Sequence, residues 1–172
     1  SHSSKETEGT ELSILLFNLH SANDQYDDVL KYIERTGADI LALEEMNVRW
    51  MDALKERLKD YPYQKFVLRD DNFGIGFFSK ISPTEPFRVI NFGSARVPSV
   101  LARYRFEEKD VDVLFTHPVP PISRAYYDWR NEQLEEITKV RSELTESLIV
   151  VGDLNTSSWS DTFNKFARKM KV

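Results

Sequence analysis

The first third of the chain alternates short apolar runs with a helical pattern. Residues 12–18 (LSILLFN) and 39–44 (DILALE) are apolar runs of the length expected for buried strands. Between them, apolar side chains recur at i, i+3, i+4 and i+7, which predicts an amphipathic helix. Asn23 or Asp24 is a suitable N-cap for this helix, and Gly37 is a suitable C-terminal stop. The inward face would carry Tyr26, Val29, Leu30 and Ile33.

The rest of the chain combines strand patterns with further helices. Asn47 is expected to cap a second helix, which Tyr61-Pro62 would end. Turn residues then separate five short stretches typical of an antiparallel meander, residues 63–68, 74–79, 84–90, 99–106 and 111–116. A third helix is predicted over 123–144, a buried strand over 148–151 and a last helix over 159–169. This mixture predicts a layered α/β fold rather than a Rossmann sheet.

Composition narrows the class of protein without revealing a function. The 172 residues are 41% hydrophobic and 30% charged, which is typical of one globular domain. Neither a membrane span of about 18 apolar residues nor a secretory signal is visible. The net charge of −5 disfavours tight non-specific DNA binding, and the absence of cysteine excludes disulfides and thiolate metal sites. The polar residues 1–11, including His2, are interpreted as a flexible leader or a cloning remnant.

Polar side chains follow the apolar strands at the points where the strands end. Parallel strands of β–α–β units share one edge at their carboxyl ends, and ligands favour that edge. An imidazole, carboxylates and carboxamides are expected to gather there, which is a plausible inventory for metal-assisted attack on a phosphate. The residues concerned are Asn18, Glu44, Glu45, His117, Asp153 and Asn155.

Several segments also resemble a known family. DILALEE, GIGFFSK, THPVPP, DWRNEQL and VVGDLNTSSWS, in this order and spacing, are similar to the endonuclease/exonuclease/phosphatase family, whose members include DNase-I-like nucleases, inositol-phosphate phosphatases and neutral sphingomyelinases. The resemblance covers residues 12–172. It implies a four-layer α/β/β/α sandwich of two mixed sheets flanked by helices. The last segments look most like a bacterial subgroup whose members often carry membrane segments and a catalytic domain outside the cytoplasm.

The resemblance implies a role for each matching residue. Glu45 would bind Mg²⁺ or Mn²⁺, with Asn18 helping to order the metal site. Asp153 would orient or deprotonate the attacking water, Asn155 would bond to a phosphate oxygen, and His117 would stabilise charge on the phosphoryl group. Glu44 stands where the family usually has Gln, and it adds negative charge near the metal.

Each of these residues also has a structural interpretation. Asp153 and Asn155 could belong to a turn in which Asn155 or Thr156 caps the last helix, and His117 could be a turn residue before Pro118. Glu44, taken alone, is expected to be a solvated strand end. Arg130 is a candidate phosphate ligand because its paired donors suit an anionic oxygen pair, but it could instead hold the loop 118–122 or form a salt bridge. The tryptophans Trp50, Trp129 and Trp159 are expected to pack helices on sheets. Tyr126 and Tyr127 could line a substrate groove, but core packing is favoured for them.

The family pattern is not complete in this sequence. Its site ends with an Asp and then an Asp-His pair, whereas only 17 residues follow Asn155 and none is histidine. Residues 12–172 are therefore expected to be the amino-terminal two-thirds of one domain that is incomplete at its C-terminus and inactive on its own. A non-catalytic remnant that binds phosphorylated ligands or a protein partner is the alternative. The substrate stays open between nucleic acid, a lipid head group and a small phosphoester.

Overall fold

The computed structural model describes residues 11–172, so the expected leader lies outside the described residues apart from Glu11. Eight strands and four helices follow one another along the described chain. The strands are β1 (Ile14–Asn18), β2 (Ile40–Glu44), β3 (Tyr63–Val67), β4 (Ile75–Ser79), β5 (Arg88–Phe92), β6 (Val97–Phe106), β7 (Lys109–Thr116) and β8 (Ser147–Val151). The helices are α1 (Tyr26–Thr36), α2 (Val48–Leu54), α3 (Arg124–Lys139) and α4 (Asp161–Met170).

The strands form two mixed sheets of four strands each. Sheet A has the order β1-β2-β4-β3, and sheet B has the order β5-β6-β7-β8. In sheet A, β1 and β2 are parallel, with Asn18 opposite Glu44. In sheet B, β7 and β8 are parallel, with Phe115 opposite Val151. The remaining pairs are antiparallel. Each sheet therefore contains one parallel pair, and the two strands of a pair have their carboxyl ends at the same edge of the sheet.

Three apolar layers hold the sheets and helices together. One cluster packs α1 and α2 on sheet A, and Trp50 is fully buried in it. A second lies between the two sheets and contains Phe77 from β4 and Phe115 from β7. A third packs α3 and α4 on sheet B through Ile137 and Phe166, among others. The order of layers is helices, sheet A, sheet B, helices, which confirms the predicted α/β/β/α sandwich.

Three local predictions need correction. The five middle strands do not form one meander, because β3 and β4 join sheet A while β5, β6 and β7 join sheet B. Helix α1 starts after Gln25 without a side-chain cap, and the Asn23 carboxamide instead accepts from the Gln25 N–H. Helix α3 ends at Lys139, followed by a 3-10 turn at Arg141–Glu143, rather than reaching residue 144.

The early end of α3 has a physical cause. The Arg141 guanidinium donates to the main-chain oxygens of Met170 at 2.6 Å and Thr145 at 2.9 Å. These bonds fold the segment after α3 against the end of α4 and satisfy carbonyls that would otherwise lack partners. Two other predicted features are confirmed: Asn47 caps α2 by accepting from the Trp50 N–H, and Gly37 ends α1 in the left-handed conformation.

No helix within residues 11–172 is both long enough and apolar enough to cross a membrane.

Candidate active site

The predicted polar residues gather where the two sheets meet. Glu45 follows β2 of sheet A, while His117 and Asp153 follow β7 and β8 of sheet B. The carboxyl ends of both parallel pairs open into one cavity of about 380 Å³. The prediction of one shared sheet edge is thus corrected to the seam between two stacked sheets. The lining residues are Asn18, Glu45, Asp71, Asn72, Phe73, His117, Pro120, Ile122, Tyr126, Asp153 and Asn155.

Glu45 is held in a defined orientation by two donors. The Asn18 Nδ2 donates to Glu45 Oε1 at 3.0 Å, and the Ser21 N–H donates to Glu45 Oε2 at 3.0 Å. The Asn18 Oδ1 accepts from the His20 N–H at 2.8 Å, so Asn18 is itself fixed. Glu45 has a φ of +58°, which is unusual for a residue with a side chain. The chain thus turns sharply after β2 and presents the carboxylate to the cavity.

The loop after β8 places Asp153 and Asn155. The Asp153 Oδ1 accepts from the Asn155 N–H at 2.8 Å, and Asn155 takes a φ of +49°. The Asn155 Nδ2 donates to Pro118 O at 2.7 Å, which ties this loop to the segment after β7. Asn155 is thereby joined to the residue after His117, and both Asn155 and His117 line the cavity. The chain does turn here, but helix α4 is capped by Ser160 and not by Asn155 or Thr156, and the loop faces the cavity.

Arg130 lies behind this loop. It is only 4% exposed, and its guanidinium donates to the main-chain oxygen of Asn155 and to the Asn131 side chain. The tyrosine ring of Tyr127 covers it, with the Arg130 Cζ 5.0 Å from the ring centroid. Arg130 therefore supports the loop that carries Asn155, and not the loop 118–122 as one prediction had it.

Glu44 is buried, which corrects its interpretation as a solvated strand end. It is 2% exposed, its Oε1 accepts from the Asp153 N–H at 2.7 Å, and its Oε2 lies 3.9 Å from His117 Nε2. Burial raises the pKa of the Glu44 carboxyl, while the nearby imidazole and the Asp153 N–H act in the opposite direction.

His117 is enclosed by the same groups. It is 5% exposed, yet it still lines the cavity. Its Nδ1 is buried without a hydrogen-bond partner among the described residues. Buried polar atoms normally have a partner, and an unpaired one at a cavity is a common mark of a functional group.

Sequence reasoning missed several residues around the cavity. Asp71 and Asn72 had been interpreted only as turn residues between strands, and nothing in the pattern indicated that this turn reaches the site. Tyr126 lines the cavity from the first turn of α3, so the expectation of core packing is wrong for it. Trp159 is 91% exposed and Trp129 is 38% exposed, so neither is the buried packing residue that was expected.

The side chains suit a hard divalent cation. Glu45 and Asp153 both present carboxylates to the cavity. Mg²⁺ keeps several waters and needs only one or two protein carboxylates. Within residues 11–172 no group of three or more His, Asp or Glu side chains could enclose a metal ion. These two carboxylates are suitable ligands for a hydrated hard divalent cation.

Three solved structures of similar fold illustrate the proteins that this chain resembles in structure. A humanized TDP2 from D. rerio is 20% identical with a TM-score of 0.70, and the match covers 85% of this chain and 67% of that one. Sphingomyelinase C from Streptomyces griseocarneus is 18% identical with a TM-score of 0.71, covering 92% and 69%. A hairpin-deletion mutant of beta toxin from Staphylococcus aureus is 20% identical with a TM-score of 0.69, covering 95% and 74%. At these identities the likeness establishes the DNase-I-like fold alone.

The sequence itself identifies the family. No curated protein sequence matches the chain. The family model described as Endonuclease/Exonuclease/phosphatase family matches residues 15–172, which is nearly all of the described chain. Several of the cavity residues, among them Glu45, His117 and Asp153, lie in segments that carry the resemblance in the sequence, and the fold is the one that the resemblance implied. This protein belongs to the endonuclease/exonuclease/phosphatase family.

Proposed function

We propose that this protein is a divalent-metal-dependent phosphoesterase that hydrolyses a phosphodiester or a phosphomonoester by attack of water. The observation that carries the proposal is the convergence of Glu45, His117, Asp153 and Asn155 on one cavity from two different sheets. A purely structural set of turn residues has no reason to meet across the seam of two sheets. Family membership supports the same class of reaction.

In this proposal each residue has a distinct task. Asp153 accepts a proton from the attacking water, which requires an ionised carboxylate at the cavity. His117 and Asn155 donate to the phosphoryl oxygens, where hydrogen bonds strengthen as charge builds in the transition state. Glu45, together with water molecules, would hold the cation, which would neutralise charge and orient the leaving oxygen. Asn18 and Ser21 keep the Glu45 carboxylate in place.

We propose three possible substrate classes, which are nucleic acid, a lipid head group and a small soluble phosphoester. Nucleic acid is supported by a D. rerio TDP2 of similar fold that was solved with a single-strand DNA product. A lipid head group is supported by the sphingomyelinase of similar fold. A small soluble phosphoester remains the third member. Loops around the cavity decide between such substrates, and the shared fold does not.

The experiment is a screen with defined probes. Bis(p-nitrophenyl) phosphate, p-nitrophenyl phosphate, single-stranded DNA and sphingomyelin vesicles would each be incubated with protein in Mg²⁺, in Mn²⁺ and in excess chelator. We expect hydrolysis of at least one probe that chelation abolishes. Because the chain spans only 67% of the D. rerio TDP2 chain, any longer form of the protein would be assayed beside residues 1–172. Metal-independent turnover would contradict the proposed mechanism.

A non-catalytic function is the second candidate. It rests on the same convergence of His117 and Asn155 on the cavity, because both side chains can bind a phosphoryl group whether or not a reaction follows. In that case the cavity would bind a phosphorylated ligand without hydrolysing it. Calorimetry with inorganic phosphate, together with a negative screen of the longer form, would select this candidate.

Location is a separate proposal that rests on the resemblance to the bacterial subgroup. We propose that the parent protein is anchored in a membrane with this domain outside the cytoplasm. Cell fractionation followed by protease digestion of intact cells or spheroplasts would test it. A protein found in the cytosolic fraction and protected from the protease would contradict the proposal.

A further inference from the structure

Glu44 is the side chain that joins the two halves of the cavity. It is the last residue of β2 in sheet A, but its carboxylate contacts groups of sheet B. Its Oε1 accepts from the Asp153 N–H at 2.7 Å, across 109 positions of sequence, and its Oε2 lies 3.9 Å from His117 Nε2. The same residue precedes Glu45, the expected metal ligand. One buried carboxylate thus touches the strand ends that carry two of the groups proposed for the reaction.

We propose that Glu44 is a positioning residue that fixes Asp153 and His117 relative to Glu45 across the seam of the two sheets. This inference rests on the proposed phosphoesterase function and deepens it.

The apolar layer between the sheets cannot set this alignment alone. Phe77 and Phe115 pack in that layer with their ring centroids 6.3 Å apart. Apolar packing is non-directional, so it holds the sheets together without specifying how their ends align. A hydrogen bond from a main-chain N–H to a carboxylate is directional and stronger than a neutral one. Reacting groups must be held to within a fraction of an ångström, which is the precision that such a bond provides.

The hydrogen bond between Glu44 and the Asp153 N–H is connected to two further hydrogen bonds in the loop after β8. The Asp153 side chain accepts from the Asn155 N–H, and the Asn155 side chain donates to Pro118 O. Pro118 directly follows His117. Hydrogen bonds therefore link Glu44, the loop after β8 and Pro118 in series. Loss of the Glu44 acceptor should loosen the two loops of sheet B together.

The first experiment measures the bond without requiring any activity. Amide hydrogen exchange would be followed by NMR in residues 1–172 for the parent and for Glu44→Met, which keeps the side-chain volume but removes the acceptor. We expect exchange at the Asp153 amide to become about tenfold faster or more, while the amides of β6 and the middle of β7 change little. Glu44→Gln keeps an acceptor oxygen, so it should restore protection of the Asp153 amide.

Asp112 provides a matched control. It is a fully buried carboxylate in sheet B, and its Oδ2 accepts from the Thr145 N–H at 2.7 Å. It lies four residues before the cavity end of β7, opposite Leu148 near the start of β8. Asp112→Asn should lower the melting temperature and leave the exchange of the Asp153 amide unchanged relative to its neighbours. If Glu44→Met accelerates exchange evenly through β7 and β8, or leaves the Asp153 amide protected, the positioning role is wrong.

The second experiment uses the form of the protein that hydrolyses bis(p-nitrophenyl) phosphate. Glu44→Met should lower kcat by about tenfold or more while KM changes less, and Glu44→Gln should recover most of that loss. Asp112→Asn should leave both constants near those of the parent. If the parent has no activity, the proposed function fails, but the exchange experiment still decides whether Glu44 holds Asp153. Equal losses in Glu44→Met and Asp112→Asn would overturn the inference.

Discussion

At the scale of single residues, the site concentrates unusual backbone conformations. His20, Glu45 and Asn155 all have positive φ, at +57°, +58° and +49°. Such conformations cost of order 1 kcal/mol or more for residues with a Cβ and persist only where the surroundings enforce them. Here the enforcing contacts are the bonds to Asn18 and Ser21 on one side and to Asp153 and Pro118 on the other. Strain of this kind aims a side chain at a ligand.

Glu45→Gln tests the metal ligand. The carboxamide keeps one oxygen to accept from Asn18 but loses the negative charge, so we expect the affinity for Mn²⁺ to fall about tenfold or more in calorimetry. Asp52→Asn, on the exposed side of α2, removes the same charge away from the cavity and should leave the affinity unchanged. An affinity in Glu45→Gln equal to that of the parent would show that Glu45 is not a ligand.

Asp153→Asn tests the proposed base. The Asn oxygen can still accept from the Asn155 N–H, so the loop and the melting temperature should be preserved. Loss of the proton acceptor should lower kcat by about 10²-fold or more with little change in KM. Asp161→Asn, at the exposed start of α4, is the control for surface charge. A normal kcat combined with a lowered melting temperature would mean that Asp153 serves only the turn.

The residues of the site divide into those that a sequence can reveal and those that it cannot. Asp153 and His117 were predicted because each follows an apolar strand directly. Glu44 was misinterpreted because the end of a strand does not show whether a second sheet lies over it. Asp71 was missed because a turn rich in acidic residues looks the same in solvent as beside a cavity. Contacts between distant segments decide such cases, and they have no local pattern.

At the scale of elements, the turn after β8 depends on one glycine. Gly152 has a φ of +141°, and a Cβ placed there would lie 1.7 Å from Thr116 O. The missing side chain lets the end of β8 pass close to the end of β7. This approach brings Asp153 beside His117, so the glycine of the GDLN segment serves the geometry of the site.

Gly152→Ala should therefore be strongly destabilising. The Cβ meets main chain that cannot move aside, and we expect a loss of about 3 kcal/mol or more of unfolding free energy in urea denaturation. Gly37→Ala is the matched control, because Gly37 also has positive φ but nothing lies within 4 Å of a Cβ there. That variant should lose only about 1 kcal/mol. Similar losses in both variants would contradict the argument from close approach.

The elements were easier to predict than their assembly. Seven of the strand positions overlap the predicted runs closely, while β5 starts four residues later than the pattern suggested, at Arg88. The helices were found from their apolar spacing, and their ends were missed where capping came from distant groups, as with Arg141 behind α3. The sequence pattern of a strand does not indicate which sheet the strand joins, because strand pairing depends on contacts with the other strands and helices of the fold.

At the scale of the whole molecule, a buried ion pair stabilises sheet B at the end opposite the cavity. The Arg103 guanidinium donates to both Asp112 oxygens at 2.7 and 3.0 Å, and the Thr145 N–H donates to Asp112 as well. Burial alone would raise the pKa of Asp112, but these bonds outweigh it and lower the pKa below its usual value of 3.8. The group thus favours folding when it is ionised.

This pair predicts a pH dependence of stability. A carboxyl with a lowered pKa contributes stability above its unfolded pKa and loses it as pH falls through the folded pKa. Asp112→Asn should cost about 2–3 kcal/mol at pH 7. The difference between parent and variant should shrink below about pH 4, since the parent then loses the same charge. Urea denaturation at pH 7, 5, 4 and 3 would measure it, and a difference that does not vary with pH would contradict the assignment.

The apolar layer between the two sheets limits which core substitutions this protein can accept without loss of function. In most globular proteins, core side chains can be exchanged for others of similar total volume at little cost to function. Here the layer containing Phe77 and Phe115 lies between the sheet that carries Glu45 and the sheet that carries Asp153, so its thickness affects how far apart the two sheets lie. A repacking that leaves the melting temperature unchanged can still shift one half of the proposed site relative to the other. Stabilising redesign of this enzyme class should therefore work on the outer layers, beneath the helices, and leave the middle layer alone.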